Sequence, residues 1–190
     1  MDLVIASNNK HKIKEIRTIL SEKFEHVYSL SDLSITVDPE ETAPDFLGNA
    51  MIKARAVAAY TDRAVLADDS GLEVAHLGGA PGVHSARYAG EPVSDDRNNE
   101  KLLAEMQGAS DRSARFLTTI VLLFPNGRTA VGVGEVKGRI LEERRGQNGF
   151  GYDPLFYADE LGKTFGEATE QEKNRVSHRS RALTDLLNKL

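Results

Sequence analysis

Two adjacent acids, Asp68 and Asp69, stand in the run Ala67-Asp68-Asp69-Ser70-Gly71-Leu72, with Val65-Leu66 before it and Glu73-Val74 after it. Carboxylates fixed at a strand end suit a hard cation such as Mg2+, and Gly71 lets backbone approach closely. The run reads as strand, tight acidic turn, strand. Side chains alternate faces along extended chain, so neighbouring carboxylates cannot simply share one solvated face. Glu41 would add to an oxygen-rich cation site if the fold carries it beside Asp68 and Asp69. The same residues also suit plainer duties: Asp, Ser and Gly form surface turns, while Glu40, Glu41 and Lys53 serve as solvated charges.

A second candidate is the polar run Ser7-Asn8-Asn9-Lys10-His11-Lys12, which joins an apolar strand to a helix. A helix N-terminus offers unpaired N–H groups and a positive dipole end to an anion. Ser7, Asn8 and Asn9 can hydrogen-bond phosphate oxygens, and Lys10 or Lys12 can neutralise them. The run is no Walker A loop, having no glycine; the chain's Gly162-Lys163-Thr164 has Tyr157 where that motif needs Gly. A third candidate is Gly149-Phe150-Gly151-Tyr152-Asp153-Pro154. Its aromatic faces can stack on a nucleobase and Asp153 can accept from a ring N–H, though core aromatics in a structural loop fit equally. Ser177-His178-Arg179 opens the closing helix, with no Gly-x-Ser-x-Gly elbow to make a serine hydrolase. No His-Glu-x-x-His or zinc spacing occurs, and His26 and His76 read as non-functional.

Around these groups, Leu3 to Ala6 reads as a buried strand, and Ile13, Ile16, Ile19, Leu20 and Phe24 as the apolar face of a helix. A helix from Phe46 to Tyr60 is entered through Pro44-Asp45, and another, capped by Ser94 or Asp95, runs through Leu102, Leu103 and Met106 to Gly108. Arg115 to Phe124 and Thr129 to Val136 form a hairpin about Pro125-Asn126-Gly127-Arg128. A glycine-rich loop covers Gly146 to Pro154. Ser177 caps a last helix with Ala182, Leu183, Leu186, Leu187 and Leu190 on its apolar face. This is an α/β chain with a mixed sheet, and 190 residues without repeat or linker read as one domain. The net charge of −5 argues against general nucleic-acid binding but not against an anionic small molecule. With no cysteine there are no disulfides, thiolate metal sites or cysteine nucleophiles. The absence of a bilayer-length apolar run or a signal peptide fits a cytoplasmic protein without a membrane partner.

Taken in order, these segments closely resemble the inosine/xanthosine triphosphate pyrophosphatase family. The matching runs are Ser7 to Lys12, Glu41-Thr42, Asn49-Ala50 with Lys53-Ala54, Ala67 to Leu72 and Gly78-Gly79-Ala80-Pro81-Gly82. They continue through Ser85-Ala86-Arg87-Tyr88, Gly149 to Pro154, Lys173 and Ser177-His178-Arg179. The resemblance implies an elongated mixed central sheet flanked by helices, two lobes with a cleft between them, and a homodimer. It implies Mg2+-dependent hydrolysis of ITP, dITP and XTP to the monophosphate and pyrophosphate. Ser7, Asn8, Asn9, Lys10, His11 and Lys12 would cradle the triphosphate. Glu41 and Asp69 would hold Mg2+, with Asp69 the proton acceptor and Asp68 sharing that role. Lys53, Ser70 and Lys173 would contact substrate, Lys12, Lys53 and Lys173 neutralising the leaving group. Phe150, Gly151, Tyr152 and Asp153 with His178 and Arg179 would form the base pocket. The family usually shows Gly and Thr where this chain has Ala43 and Asp45, which puts an extra carboxylate beside a proposed ligand. Two other functions share some of these features: a purine nucleotide sensor without catalysis, and a pyrophosphatase for modified pyrimidine nucleotides.

Overall fold

The structure, a computed structural model, describes residues 2–21 and 23–190. It is a seven-stranded mixed sheet with helices, the strands lying in the order β2-β1-β3-β4-β5-β6-β7. The strands are β1 (Asp2–Ile5), β2 (His26–Ser29), β3 (Ala64–Val74), β4 (Ser113–Leu123), β5 (Thr129–Ile140), β6 (Phe156–Ala158) and β7 (Lys163–Thr164). The α-helices are α1 (Lys10–Leu20), α2 (Phe46–Ala58), α3 (Asp95–Glu105), α4 (Glu170–Val176) and α5 (His178–Leu187). Pairing is parallel from β1 to both β2 and β3, and antiparallel from β5 through β6 to β7. Among the described residues no helix is long and apolar enough to cross a membrane.

The chain divides into two compact units. The first holds the residues up to Asp69, Thr118–Gly134 and Arg179–Leu190. Its stretch of β3 explains its layering. Ala64 and Leu66 pack with Ile16 and Leu20 of α1 and Ala182, Leu183 and Leu186 of α5. Val65 and Ala67 pack with Ala50, Ala54 and Val57 of α2. Alternate residues of one strand therefore serve two helical layers. Each fully buried leucine here contributes roughly 2 kcal/mol of transfer free energy. Close packing of α5 requires Gly132 in β5, where an added Cβ would lie 2.2 Å from the Ala182 carbonyl oxygen.

The second unit holds Ser70–Leu117 and Glu135–His178. Its core gathers Leu72 and Val74, Leu102 and Met106, Val136 and Ile140, and the rings of Phe116, Phe156 and Phe165. Phe116 and Phe156 meet tilted, 4.6 Å between centroids, a favoured arrangement of aromatic faces and edges.

Several expectations are revised. β3 is one unbroken strand from Ala64 to Val74, not two strands about an acidic turn. Turn-forming residues are overruled because the backbone there is buried, with Asp68 2% and Asp69 6% exposed, and buried backbone needs ladder partners. Helix α1 starts inside the expected polar loop, at Lys10, and ends at Leu20 before Phe24. Helix α2 stops at Ala58, short of Tyr60. Strands β2, β6 and β7 and helix α4 went unforeseen, and Leu190, expected on the apolar face of α5, lies beyond that helix and is exposed. The hairpin closes as expected, the Phe124 N–H donating to the Arg128 carbonyl at 2.8 Å.

Candidate active site

Because β3 is extended, Asp68 points to the layer of α1 and α5 and Asp69 to the layer of α2. Asp68 accepts from Lys12 Nζ at 3.0 Å and from Arg179 Nε at 3.4 Å. The Arg179 guanidinium also pairs with Glu15 of α1. Burial works to raise the Asp68 carboxyl, but the charges of Lys12, Arg179 and Lys53 outweigh it and hold the group well below the usual carboxylate range. Lys12 is in turn held below its ordinary value by burial, which Asp68 opposes and the neighbouring cations Lys53 and Arg179 reinforce.

Asp69 has different company. Its Oδ2 accepts from Asn49 Nδ2 at 3.2 Å and its Oδ1 from Lys53 Nζ at 3.4 Å. The same ammonium lies 3.4 Å from Glu41 Oε1. Burial pushes the Asp69 carboxyl up to about 6; Lys53 opposes this and the charge of Glu41 adds to it. Asn49 also accepts the Ala43 N–H at 2.9 Å, tying the chain after Glu41 to the strand that carries Asp69. Asp45, the extra carboxylate, caps α2 by accepting from the Gly48 N–H at 2.7 Å.

Glu41 and Asp69 fit a hard divalent cation. Both offer carboxylate oxygens, a lysine ammonium already sits between them, and Asp69 is pushed up partly by its negative neighbour. Among the described residues, three ligand atoms come within 4.8 Å of one another elsewhere, at Asp2, Glu25 and His26.

In the run Ser7 to Lys12, Ser7 Oγ accepts the Asn9 N–H at 3.1 Å, and Asn9 Oδ1 accepts the N–H groups of His11 and Lys12 at 3.0 and 3.2 Å. Ser7 and Asn9 thus shape the start of α1, while Asn8, Lys10 and His11 are exposed beside it.

The second unit gathers the aromatic candidates. Lys173 of α4 donates to Asp153 Oδ2 at 2.8 Å, both side chains about 95% buried. Its ammonium lies 4.7 Å from the Phe150 ring centroid and 5.5 Å from that of Phe165. Asp153 Oδ2 also accepts the Phe150 N–H at 3.0 Å. Gly149 makes this possible: at φ +73° it leaves room where a Cβ would lie 2.0 Å from that carboxylate oxygen. Tyr152 is buried and donates its hydroxyl to the Ser85 carbonyl at 2.6 Å. His178 stacks on Phe116 at 4.8 Å, and Ser70 lies half-buried in β3. His178 packs its ring on Phe116, and Arg179 pairs with Asp68 and Glu15.

Glu15 and Asn49 join these networks without having been singled out as site residues. Glu15 carried a legible signal, an acid beside Ile16 on the buried side of an amphipathic helix. Asn49 carried none beyond its place in a matching run.

Fold and site together define an α/β protein in which paired carboxylates, lysines and a helix N-terminus meet in one unit and a lysine among aromatic rings marks the other. The chain belongs to the Ham1 family, which it matches over residues 3–189. It is 47% identical to a dITP/XTP pyrophosphatase of Clostridium perfringens over 98% of this chain and 96% of the relative. It is 45% identical to a dITP/XTP pyrophosphatase of Bacillus subtilis over 97% of this chain and 94% of the relative. Among solved structures, the Ham1 protein of Staphylococcus aureus superposes with a TM-score of 0.86 at 43% identity, covering 97% of this chain and 95% of its own. That of Coxiella burnetii gives 0.89 at 40% identity over the whole of both chains.

Proposed function

We propose that this protein hydrolyses deaminated purine nucleoside triphosphates (ITP, dITP and XTP) to the monophosphate and pyrophosphate. The observation that carries the chemistry is the split of Asp68 and Asp69 between two sets of cations on one strand. The family membership and the names of the two relatives support the substrate class.

Water would attack the α-phosphorus in line, with pyrophosphate leaving. Asp69 would accept the proton through a carboxylate oxygen that the cation leaves open, burial and the charge of Glu41 raising its basicity and the cation lowering it, with Asp68 on the same strand sharing the role. Asp68, held ionised by Lys12 and Arg179, also fixes those cations. Lys12 has charge that its surroundings do not fully balance, so a phosphate near the start of α1 would stabilise it. Lys53 would neutralise charge growing on the leaving group. Glu41 and Asp69 would hold Mg2+, which when bound polarises phosphate oxygens and lowers the pKa of a bound water.

The loop of Gly149 to Asp153 would receive the base, with Phe150 supplying a face and Asp153 and Lys173 polar groups. Sequence placed Lys173 among the leaving-group lysines; its pairing with Asp153 between two rings favours the base side. A donor aimed at the purine 6-oxygen is left unpaired by adenine, which carries an amino group there. The proposal extends to one functional domain acting as a cytoplasmic homodimer, the assembly being testable by sedimentation.

The deciding experiment incubates the protein with Mg2+ and ITP, XTP, ATP or GTP, and separates the products by chromatography. IMP or XMP with pyrophosphate, and little turnover of ATP or GTP, is the expected result. Inorganic phosphate with a diphosphate left behind would move the attack to the γ-phosphorus and overturn the mechanism.

A further inference from the structure

Gly151, at the centre of the proposed base loop, is held from both sides by helix α3. Its N–H donates to Asp95 Oδ2 at 2.8 Å. Its carbonyl accepts from Asn99 Nδ2 at 2.9 Å. The two acceptors of Asn99 fix which way its amide faces. The same Nδ2 donates at 2.7 Å to the carbonyl of Asp95, the residue that holds the other side of Gly151. Asn99 is 2% exposed, and its Oδ1 is buried without a hydrogen-bond partner among the described residues. Turning the amide over would set that oxygen against two carbonyls.

A further contact joins the same helical turn to the preceding part of the loop. Arg144 donates to the Asp96 carboxylate at 2.6 Å and to the Asp96 carbonyl at 3.1 Å. Gly151 sits at φ +60°, in the left-handed region. A residue there has no strand or helix ladder to set its orientation, so outside partners must set it. Asp95 and Asn99 supply both, one accepting and one donating.

We infer that Asp95 and Asn99 are positioning residues that fix the Gly151 peptide and thereby set selectivity for the base. The inference rests on the reading of Gly149 to Asp153 as the base loop. Neither residue is among the groups proposed to hold the phosphates. Loosening Gly151 should therefore displace Phe150 and Asp153 on either side of it and weaken discrimination, leaving phosphate chemistry in place.

The test measures kcat/KM for ITP and for ATP in the wild type and in Asn99→Asp, Asp95→Ala and Asp95→Asn. Asn99→Asp turns a donor into an acceptor facing two carbonyls, and should cut the ITP-over-ATP ratio by about tenfold or more. Asp95→Ala should cut the ratio several-fold, and Asp95→Asn, which keeps an acceptor for the Gly151 N–H, should restore most of it. In Asp95→Ala the Gly151 amide should also exchange its hydrogen faster. Should Asn99→Asp fail to fold, the Asp95 pair carries the test alone. Equal losses on ITP and ATP would mean a merely structural role and overturn the inference, as would an unchanged ratio in folded Asp95→Ala. A wild type that does not prefer ITP would overturn the proposed function itself, which separates that failure from this one.

Discussion

The two units handle buried charge in different ways. In the first, Asp68, Asp69, Glu41, Glu15, Lys12, Lys53 and Arg179 form linked pairs brought together from β3, both flanking helix layers and the chain before α2. In the second, one ion pair, Lys173 with Asp153, is enclosed with the rings of Phe150 and Phe165. The first set is imperfectly balanced: Asp69 is pushed up by burial and by Glu41, and Lys12 is held down by burial and by other cations. Such a set is relieved by a cation at the carboxylates and an anion at the lysine, which a metal–phosphate complex supplies together. The second set places aromatic faces beside a buried ion pair, a combination that suits a flat heterocycle. Substitutions in the first unit should therefore act on turnover and stability, and those in the second on which nucleotide is chosen.

The largest effect is expected from Asp69→Asn, which removes the proposed proton acceptor and a proposed metal oxygen while keeping the shape of the side chain. Turnover of ITP, followed by pyrophosphate release, should fall roughly a hundredfold or more. Near-normal turnover would remove the assignment and erase the contrast between the units. Next, Arg179→Ala leaves the buried carboxylates of Asp68 and Glu15 without their guanidinium. Breaking a buried pair from one side costs about 3–5 kcal/mol, read as a shift in the urea unfolding curve. A loss under about 1 kcal/mol would show that the network is not structural.

Gly149→Ala probes the second unit, because the new methyl group would strike Asp153 Oδ2 and φ is +73°. The KM for ITP should rise about tenfold with kcat changed less than about threefold, the pattern of lost uniform binding. A fall in kcat alone would place the loop in the chemistry and blur the comparison. The smallest effect belongs to Asp185, half-buried on α5, whose carboxyl is held below its ordinary 3.8 by Lys189 and by the Val133 N–H. A depressed carboxyl stabilises the fold above that value and loses its contribution as pH falls through its lowered value. Asp185→Asn should cost no more than about 0.5 kcal/mol at neutral pH, solvent screening the pair. The difference from wild type should vanish in acid unfolding experiments.

The sequence made much of this legible where a pattern repeats. The helical spacing of Ile13, Ile16 and Leu20, the cap before Phe46 and the Asn126-Gly127 turn each have one local solution, and the structure contains them. The acidic run misled because Asp, Ser and Gly favour turns in isolation, whereas burial of the backbone on both faces of the sheet favours a ladder. Glu15 and Arg179 could not be joined by spacing, since they lie 164 residues apart. Asp95 looked like a helix cap and Asn99 like an unremarked polar residue, because their partner, a single glycine peptide, carries no side chain to announce it.

The unbroken course of β3 has a further consequence for what lengths of chain this protein tolerates. A strand keeps its faces by parity, so inserting or deleting one residue between Ala64 and Asp68 would turn every later side chain over. Wherever in that stretch the change falls, Asp68 would face α2 while Asp69 faced Arg179. In a library of single-residue insertions and deletions selected for activity, this stretch should be nearly empty, whereas the exposed turn at Asn126 and Gly127 should accept length changes freely.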